Sequence, residues 1–126
     1  VIDYLQLMSY SGKADNRTNI VAEITRALKI MARDLDVPII LLSQLSRAPE
    51  QRTDHRPMMS DLRESGSIEQ DADVIIMLYR PSVYDELAGN EAEAIVAKHR
   101  NGPTGTVDLI WNGQYTSFAS ATDREW

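Results

Sequence analysis

Two polar side chains interrupt the apolar opening stretch VIDYLQLM: the carboxylate of Asp3 and the amide of Gln6. Burying a charge is costly unless it is paired or holds a metal. An aspartate in a strand of this composition suits contact with a hydrated Mg²⁺, which keeps several waters and takes only one or two carboxylates. The alternative is a structural aspartate that caps a neighbouring backbone group. Gln44 ends the apolar run VPIILLSQ. That places it at the carboxyl end of a strand, where open α/β sheets bind ligands, although a satisfied strand-end amide accounts for it equally. Lys98 and Arg100 flank His99 directly before the turn sequence NGPTG. An arginine there can protrude and carries a permanent planar charge; a solvated hairpin tip is the plain alternative. In DLRESG, Arg63 and Glu64 precede a serine and Gly66. A glycine beside a serine lets backbone N–H groups approach a phosphate, and an ordinary turn explains the same letters.

The elements that must position these residues follow from periodicity. Val1 to Met8 reads as a strand, and SYSGKADNRTN as a loop rich in breakers. Ile20, Ile24, Leu28, Met31 and Leu35 recur at helical spacing, with Thr18 or Asn19 as the cap and Asp36 then Pro38 limiting the end. Val37 to Leu42 is an unbroken apolar run, as expected of a strand buried on both faces of a parallel sheet. Strand, helix and strand make a βαβ unit. Arg47 to Pro57 is a second polar loop, and Ser60 to Asp71 reads as short helical turns broken at Gly66. Val74 to Tyr79 follows as another buried strand, and Pro81 to Ala92 as an acidic connector. EAIVAKHRNGPTGTVDLIW predicts two strands joined by a turn over Asn101 to Gly105, and Tyr115 to Ala119 a last strand. Residues 120–126 read as a frayed tail. The chain opens inside a strand, which points to a fragment whose upstream part lies elsewhere.

Composition narrows the function classes. The 126 residues are 43% hydrophobic and 25% charged, ordinary values for a globular domain or part of one. No apolar run approaches the roughly 20 residues of a membrane span, so no membrane association is expected. Cysteine is absent, which excludes disulfides and cysteine-based zinc sites. His55 and His99 are too few for a histidine-rich metal centre. A net charge of −6 argues against coating nucleic acid through bulk positive charge. Between Arg47 and Arg63, however, Arg47, Arg52, Arg56 and Arg63 oppose Glu50, Asp54 and Asp61, a local balance of the other sign.

Taken in order, VIDYLQLM, VPIILLSQLSR, SDLRESGSIEQDADVIIMLYR and AKHRNGPTGTVDLIW resemble successive motifs of the DnaB-type replicative DNA helicases over nearly the whole chain. The resemblance implies an α/β fold, the C-terminal part of a RecA-like P-loop ATPase core. Its sheet would be mostly parallel and flanked by helices, with a C-terminal β-hairpin. It implies ATP and Mg²⁺ as cofactors and a homohexameric ring around single-stranded DNA. Primase and a helicase loader would be partners, and the setting a bacterial cytoplasm at the replication fork, with 5′ to 3′ travel. By that resemblance Asp3 is the Walker B aspartate on the Mg²⁺ side, and Gln44 senses the terminal phosphate and links it to the DNA-contacting loops. Arg63, Glu64 and Gly66 belong to the loop that grips the DNA backbone. Lys98 and Arg100 enter the neighbouring subunit's ATP site, with Arg100 as the arginine finger. DNA contact from the loop Arg47 to Pro57 is a further expectation.

The sequence departs from the family pattern: it contains no GxxxxGK[ST], and the water-activating glutamate and the N-terminal domain that the family carries upstream are expected to be missing too. Two other readings therefore stay open, namely another RecA-like ring ATPase or recombinase, and a non-catalytic interaction module. Without a phosphate-cradling loop and its lysine, the 126 residues alone are expected to give no ATP turnover above a buffer blank. Steady-state phosphate release by the purified chain would overturn both the fragment reading and the phosphate-site assignment.

Overall fold

The computed structural model describes residues 1–9, 16–62 and 66–122. Within these the chain divides into two compact units. One comprises residues 1–47 and 59–72, the other residues 48–58 and 73–126.

The first unit is built on a minimal βαβ arrangement. Helix α1 runs from Arg17 to Leu35. Its N-cap is Asn16, not Thr18 or Asn19; the Asn16 side chain accepts the Asn19 N–H at 2.9 Å. Asp36 ends the helix in the left-handed conformation (φ 51°), and its N–H returns to the carbonyls of Ala32 and Arg33. The buried positions are Val21, Ile24, Thr25 and Leu28, an i, i+3, i+4, i+7 stripe. The expected apolar stripe is thus rotated at both ends, and Met31 and Leu35 are exposed. Thr25 donates its hydroxyl to Asp71 Oδ2 at 2.7 Å. This ties α1 to the short helix α3, Gly66–Asp71. Helix α1 is the crossover between two parallel segments that meet at Ile2 and Leu41. Ile2 N–H donates to Ile40 O (2.8 Å), Leu42 N–H to Ile2 O (2.9 Å) and Leu5 N–H to Leu42 O (2.8 Å).

These two segments are far less strand-like than the sequence predicts. After Tyr4 the first curls into a single 3₁₀ turn over Leu5–Leu7. The second carries Val37, Ile40 and Leu42 at the surface instead of buried on both faces. A doubly buried parallel strand needs neighbours on both edges and cover on both faces. The second segment has one parallel neighbour among the described residues, joined through one bridge. Leu5 and Val21 are fully enclosed.

The second unit corrects the expectation of a mostly parallel sheet. Its four strands are β1 (Val74–Tyr79), β2 (Glu91–His99), β3 (Gly105–Asn112) and β4 (Ser117–Ser120). They lie in chain order, and every pair is antiparallel. The connections over 80–90, 100–104 and 113–116 are too short for the crossover of a dozen or more residues that a parallel neighbour requires. The predicted hairpin around NGPTG is β2–β3. Ser120, assigned to the tail, closes β4 against Leu109; residues 123–126 lie outside the described residues. Only one face of β1 is buried, through Ile75 and Met77. Arg80 lies 4.0 Å from the Trp111 ring centroid, and Trp111 in turn meets Phe118.

Helix α2, Ala48–Gln51, opens a loop that belongs to this second unit. The Arg56 guanidinium pairs with Glu93 on β2, donates to Thr106 Oγ1 on β3 at 3.1 Å, and lies over the Tyr79 ring. His55 stacks flat on Tyr84, with centroids 4.3 Å apart.

Truncating the enclosed side chain beneath the 3₁₀ turn tests this account of the first unit. Leu5→Ala should lower unfolding stability by about 2–5 kcal/mol, since a fully buried leucine leaves a cavity. Chemical denaturation monitored by circular dichroism would show it as a lower midpoint at constant slope.

Candidate nucleotide and DNA site

In the first unit, Asp3 follows directly on Ile2, the residue that makes the parallel bridge, and is exposed. A strand aspartate forced into the interior, as the sequence suggests, is therefore not what the structure holds. Ile2 and Tyr4 are half-buried with Asp3 outward between them, and Leu5, where the 3₁₀ turn begins, is enclosed. Gln44 is also exposed, two residues beyond Leu42, where the pairing with the first segment ends, and one residue before Leu45, which pairs antiparallel with Leu62. Between them stands Gln6. Its Oε1 accepts the Gln44 N–H at 3.1 Å, and its Nε2 donates to Ser43 Oγ at 3.1 Å and to the Gln44 carbonyl at 3.4 Å.

This donor set suits one kind of metal. Among the described residues no group of three or more histidine, cysteine, aspartate or glutamate side chains could hold a metal. A dedicated protein cage is therefore not formed there. A lone exposed carboxylate does fit Mg²⁺, which retains most of its water and relies on phosphate oxygens for the rest.

In the second unit, Lys98 and Arg100 stand at the end of β2. Opposite β1 the pairing passes from Ile75–Lys98 to Ile76–Val96, so Ala97 is the extra residue of a β-bulge. A bulge re-aims the side chains beyond it, and here those are Lys98, His99 and Arg100. Arg100 N–H donates to the Asp73 carbonyl at 2.9 Å, carrying the ladder one residue past the strand. The Arg100 guanidinium pairs with the Asp73 carboxylate at 3.0 Å, with both side chains about half exposed (47% and 53%). A pair this exposed contributes only about 0–1 kcal/mol, so an incoming phosphate can displace it. His99 supports the turn. Its Nδ1 lies 3.2 Å from the Pro103 carbonyl, and its ring fills the space where a side chain on residue 102 would sit. A side chain on residue 102 would therefore have to push the exposed His99 ring aside.

Arg63 and Glu64 lie outside the described residues. Gly66 is exposed at the first position of α3, and a side chain there would meet open space. Among the described residues nothing packs against this position so as to demand glycine. The loop Arg47 to Pro57 is less available for DNA than its three arginines against two acids suggest. Besides the three contacts of its guanidinium, Arg56 donates its backbone N–H to the Asp54 carboxylate, and its carbonyl accepts from the Arg52 guanidinium. The Tyr79 phenol beside Arg56 is pushed above its ordinary pKa by burial and then by the negative charges of Asp54 and Glu93, with Arg56 acting the other way. Arg56 thus serves the sheet, and Arg52 the loop that carries Arg56.

The sequence reading missed three positioning residues. Gln6 carries a visible signal, an amide inside an apolar run. Asp73 and His99 carry none, because their roles depend on a bulged register and on the shape of a turn.

Comparison with known proteins defines the class: the fold is that of the RecA-fold domains of DnaB-like helicases. A family model described as the DnaB-like helicase C-terminal domain matches residues 1–120, and the chain belongs to that family. It is 56% identical over 121 residues to the replicative DNA helicase DnaB of Leifsonia xyli subsp. xyli, covering 94% of this chain and 26% of that protein. It is 55% identical over 127 residues to DnaB of Geobacillus stearothermophilus, covering 98% and 28%. Against the replicative DNA helicase DnaC of Bacillus subtilis (strain 168) it is 56% identical over 127 residues, again covering 98% and 28%. The chain thus spans about a quarter of the relatives it matches. Among solved structures, an isolated ATPase domain superposes with a TM-score of 0.90 at 54% identity, covering 95% of this chain and 43% of that one. A DnaB-like replicative helicase studied for its interactions with primase gives 0.89 at 54% identity, covering 95% and 29%. No helix among the described residues is long and apolar enough to cross a membrane.

Because Arg56 is held by its own chain, Arg56→Ala should act on folding. Loss of its charged hydrogen bonds is expected to cost about 1–3 kcal/mol of stability. In the intact protein it should leave the salt dependence of single-stranded DNA affinity unchanged, whereas loss of a phosphate contact would flatten it. Thermal unfolding together with a salt titration of binding separates the two.

Proposed function

We propose that this chain is part of a replicative DNA helicase of bacterial chromosome replication. The parent protein hydrolyses ATP at the subunit interfaces of a homohexameric ring. It couples that reaction to 5′ to 3′ translocation on single-stranded DNA and to duplex unwinding. Primase and a helicase loader are its partners, and the cytoplasm, at the replication fork, is its place of work. The observation that carries this reading is the DnaB-like family match over residues 1–120.

The residues take the following roles. Asp3, exposed within the short parallel pairing, would hold the nucleotide's Mg²⁺ through its waters. The bound ion neutralises charge building up on the phosphate oxygens. Gln44, on the adjacent segment, would sense the terminal phosphate and pass its state to the DNA-contacting loop of Arg63, Glu64 and Gly66. Each loop need make only a weak contact, because a ring multiplies weak sites by avidity. This reconciles DNA binding with a net charge of −6. Lys98 and Arg100 would act in trans. The arginine would exchange the Asp73 carboxylate for the neighbour's transferring phosphoryl group, where its planar charge stabilises the transition state.

The test is at the interface. In the full-length ring, Arg100→Ala should lower ATP hydrolysis by about 10³–10⁵ with nucleotide binding retained. Mixing that variant with one lacking a functional P-loop should restore part of the activity, because some interfaces then pair an intact P-loop with an intact Arg100. Hydrolysis that is independent of assembly, with monomers of Arg100→Ala as impaired as rings, would place Arg100 in cis and end the interfacial reading.

A further inference from the structure

The segment that carries Asp3 and the segment that carries Gln44 run side by side only briefly. Backbone bonds join them through Ile2 and Leu5, and the last is Leu5 N–H to Leu42 O. Beyond that point the first segment turns away. Leu7 N–H closes on Tyr4 O and Met8 N–H on Leu5 O, so those donors serve the 3₁₀ turn. The peptide of Gln44 is left in the gap between the end of this parallel ladder and Leu45, where the antiparallel bridge to Leu62 begins. Gln6, in the middle of the turn, reaches across and takes over. One planar amide accepts the Gln44 N–H and donates to Ser43 Oγ and, at greater length, to the Gln44 carbonyl. It does for residues 43 and 44 what a backbone partner would have done.

We propose that Gln6 is the positioning residue for Gln44: its amide clasps the Gln44 peptide, fixes the root from which the Gln44 side chain leaves, and ties that root to the segment bearing Asp3. The inference rests on the role given above to Gln44. A glutamine meets the geometry because it carries a donor and an acceptor in one group on a two-carbon stem. Asparagine has the same group and a shorter reach. Glutamate keeps an acceptor for the Gln44 N–H and can receive the Ser43 hydroxyl proton, but has no donor for the Gln44 carbonyl. Methionine matches the shape and offers neither. Leu5, fully enclosed one residue earlier, anchors the base of the clasp. A sensing side chain depends on such a root, because displacement by about 1 Å of a group that must meet a phosphate costs up to about 10²-fold in rate.

The experiment measures ATP hydrolysis by the intact ring with and without an unstructured oligothymidylate. Gln6→Met should lower the DNA-stimulated kcat by on the order of tenfold to a hundredfold, with the KM for ATP little changed. Gln6→Glu should fall between it and the parent. In a Gln44→Ala background, neither substitution should have a further effect. Where Gln6→Met fails to assemble, Gln6→Glu carries the same cycle. If Gln44→Ala abolishes DNA stimulation while Gln6→Met behaves as the parent, or if the two losses multiply in the double variant, Gln6 does not act through Gln44 and the proposal is overturned. If Gln44→Ala itself leaves DNA stimulation intact, the sensing role of Gln44 falls, and the clasp falls with it.

Discussion

The short parallel pairing around Ile2 and Leu41 is the constraint from which the first unit takes its form. Parallel neighbours cannot be joined by a tight turn, so the chain must cross over, and α1 is that crossover. The requirement to close on Leu41 determines which side of α1 faces inward and brings Asp3 and Gln44 onto adjacent segments. The pairing is only a few backbone bonds long, and that brevity gives a side chain, Gln6, work that the backbone would do in a longer ladder.

The second unit answers to a different constraint, the local closure of an antiparallel meander. Each strand finds its partner through a short connection, and its core is a single face of the sheet. Where two residues of β2 oppose one of β1, at Ala97, the ladder slips, and the basic residues downstream are set by that slip. The Asp73 carbonyl then fixes the backbone of Arg100, while the Asp73 carboxylate holds its guanidinium loosely. Firm placement of the backbone with a weak hold on the charge is what a residue needs if it is to present a cation to another molecule. Arg56 is the opposite case. Partners on β2 and β3 and the Tyr79 ring enclose it, so its charge is already committed.

Comparing these two arginines shows why charge counting misleads. From the sequence, Arg52 and Arg56 belong to a basic segment and look like nucleic-acid ligands. In the fold Arg56 fastens the loop to the sheet, and Arg52 braces that loop through the Arg56 carbonyl. Arg100, in a chain of net negative charge, has a partner it can give up.

The sequence by itself determined the helix from its 3.6-residue period, the β2–β3 hairpin from its turn chemistry, and the family from four long motifs. Each of these signals is local or is carried whole within a contiguous stretch. Tertiary structure decided the rest, because those features depend on residues far apart in the chain. The unbroken apolar run from Val37 to Leu42 says that burial is possible, but neighbours on both edges decide whether it happens, and here there is one bridge. Asp3 looks buried among apolar letters, yet it stands outward between half-buried Ile2 and Tyr4. The antiparallel order of the sheet follows from connection lengths, the aim of Lys98 and Arg100 from a bulge no residue pattern announces, and the clasp of Gln6 from the point at which two backbones part.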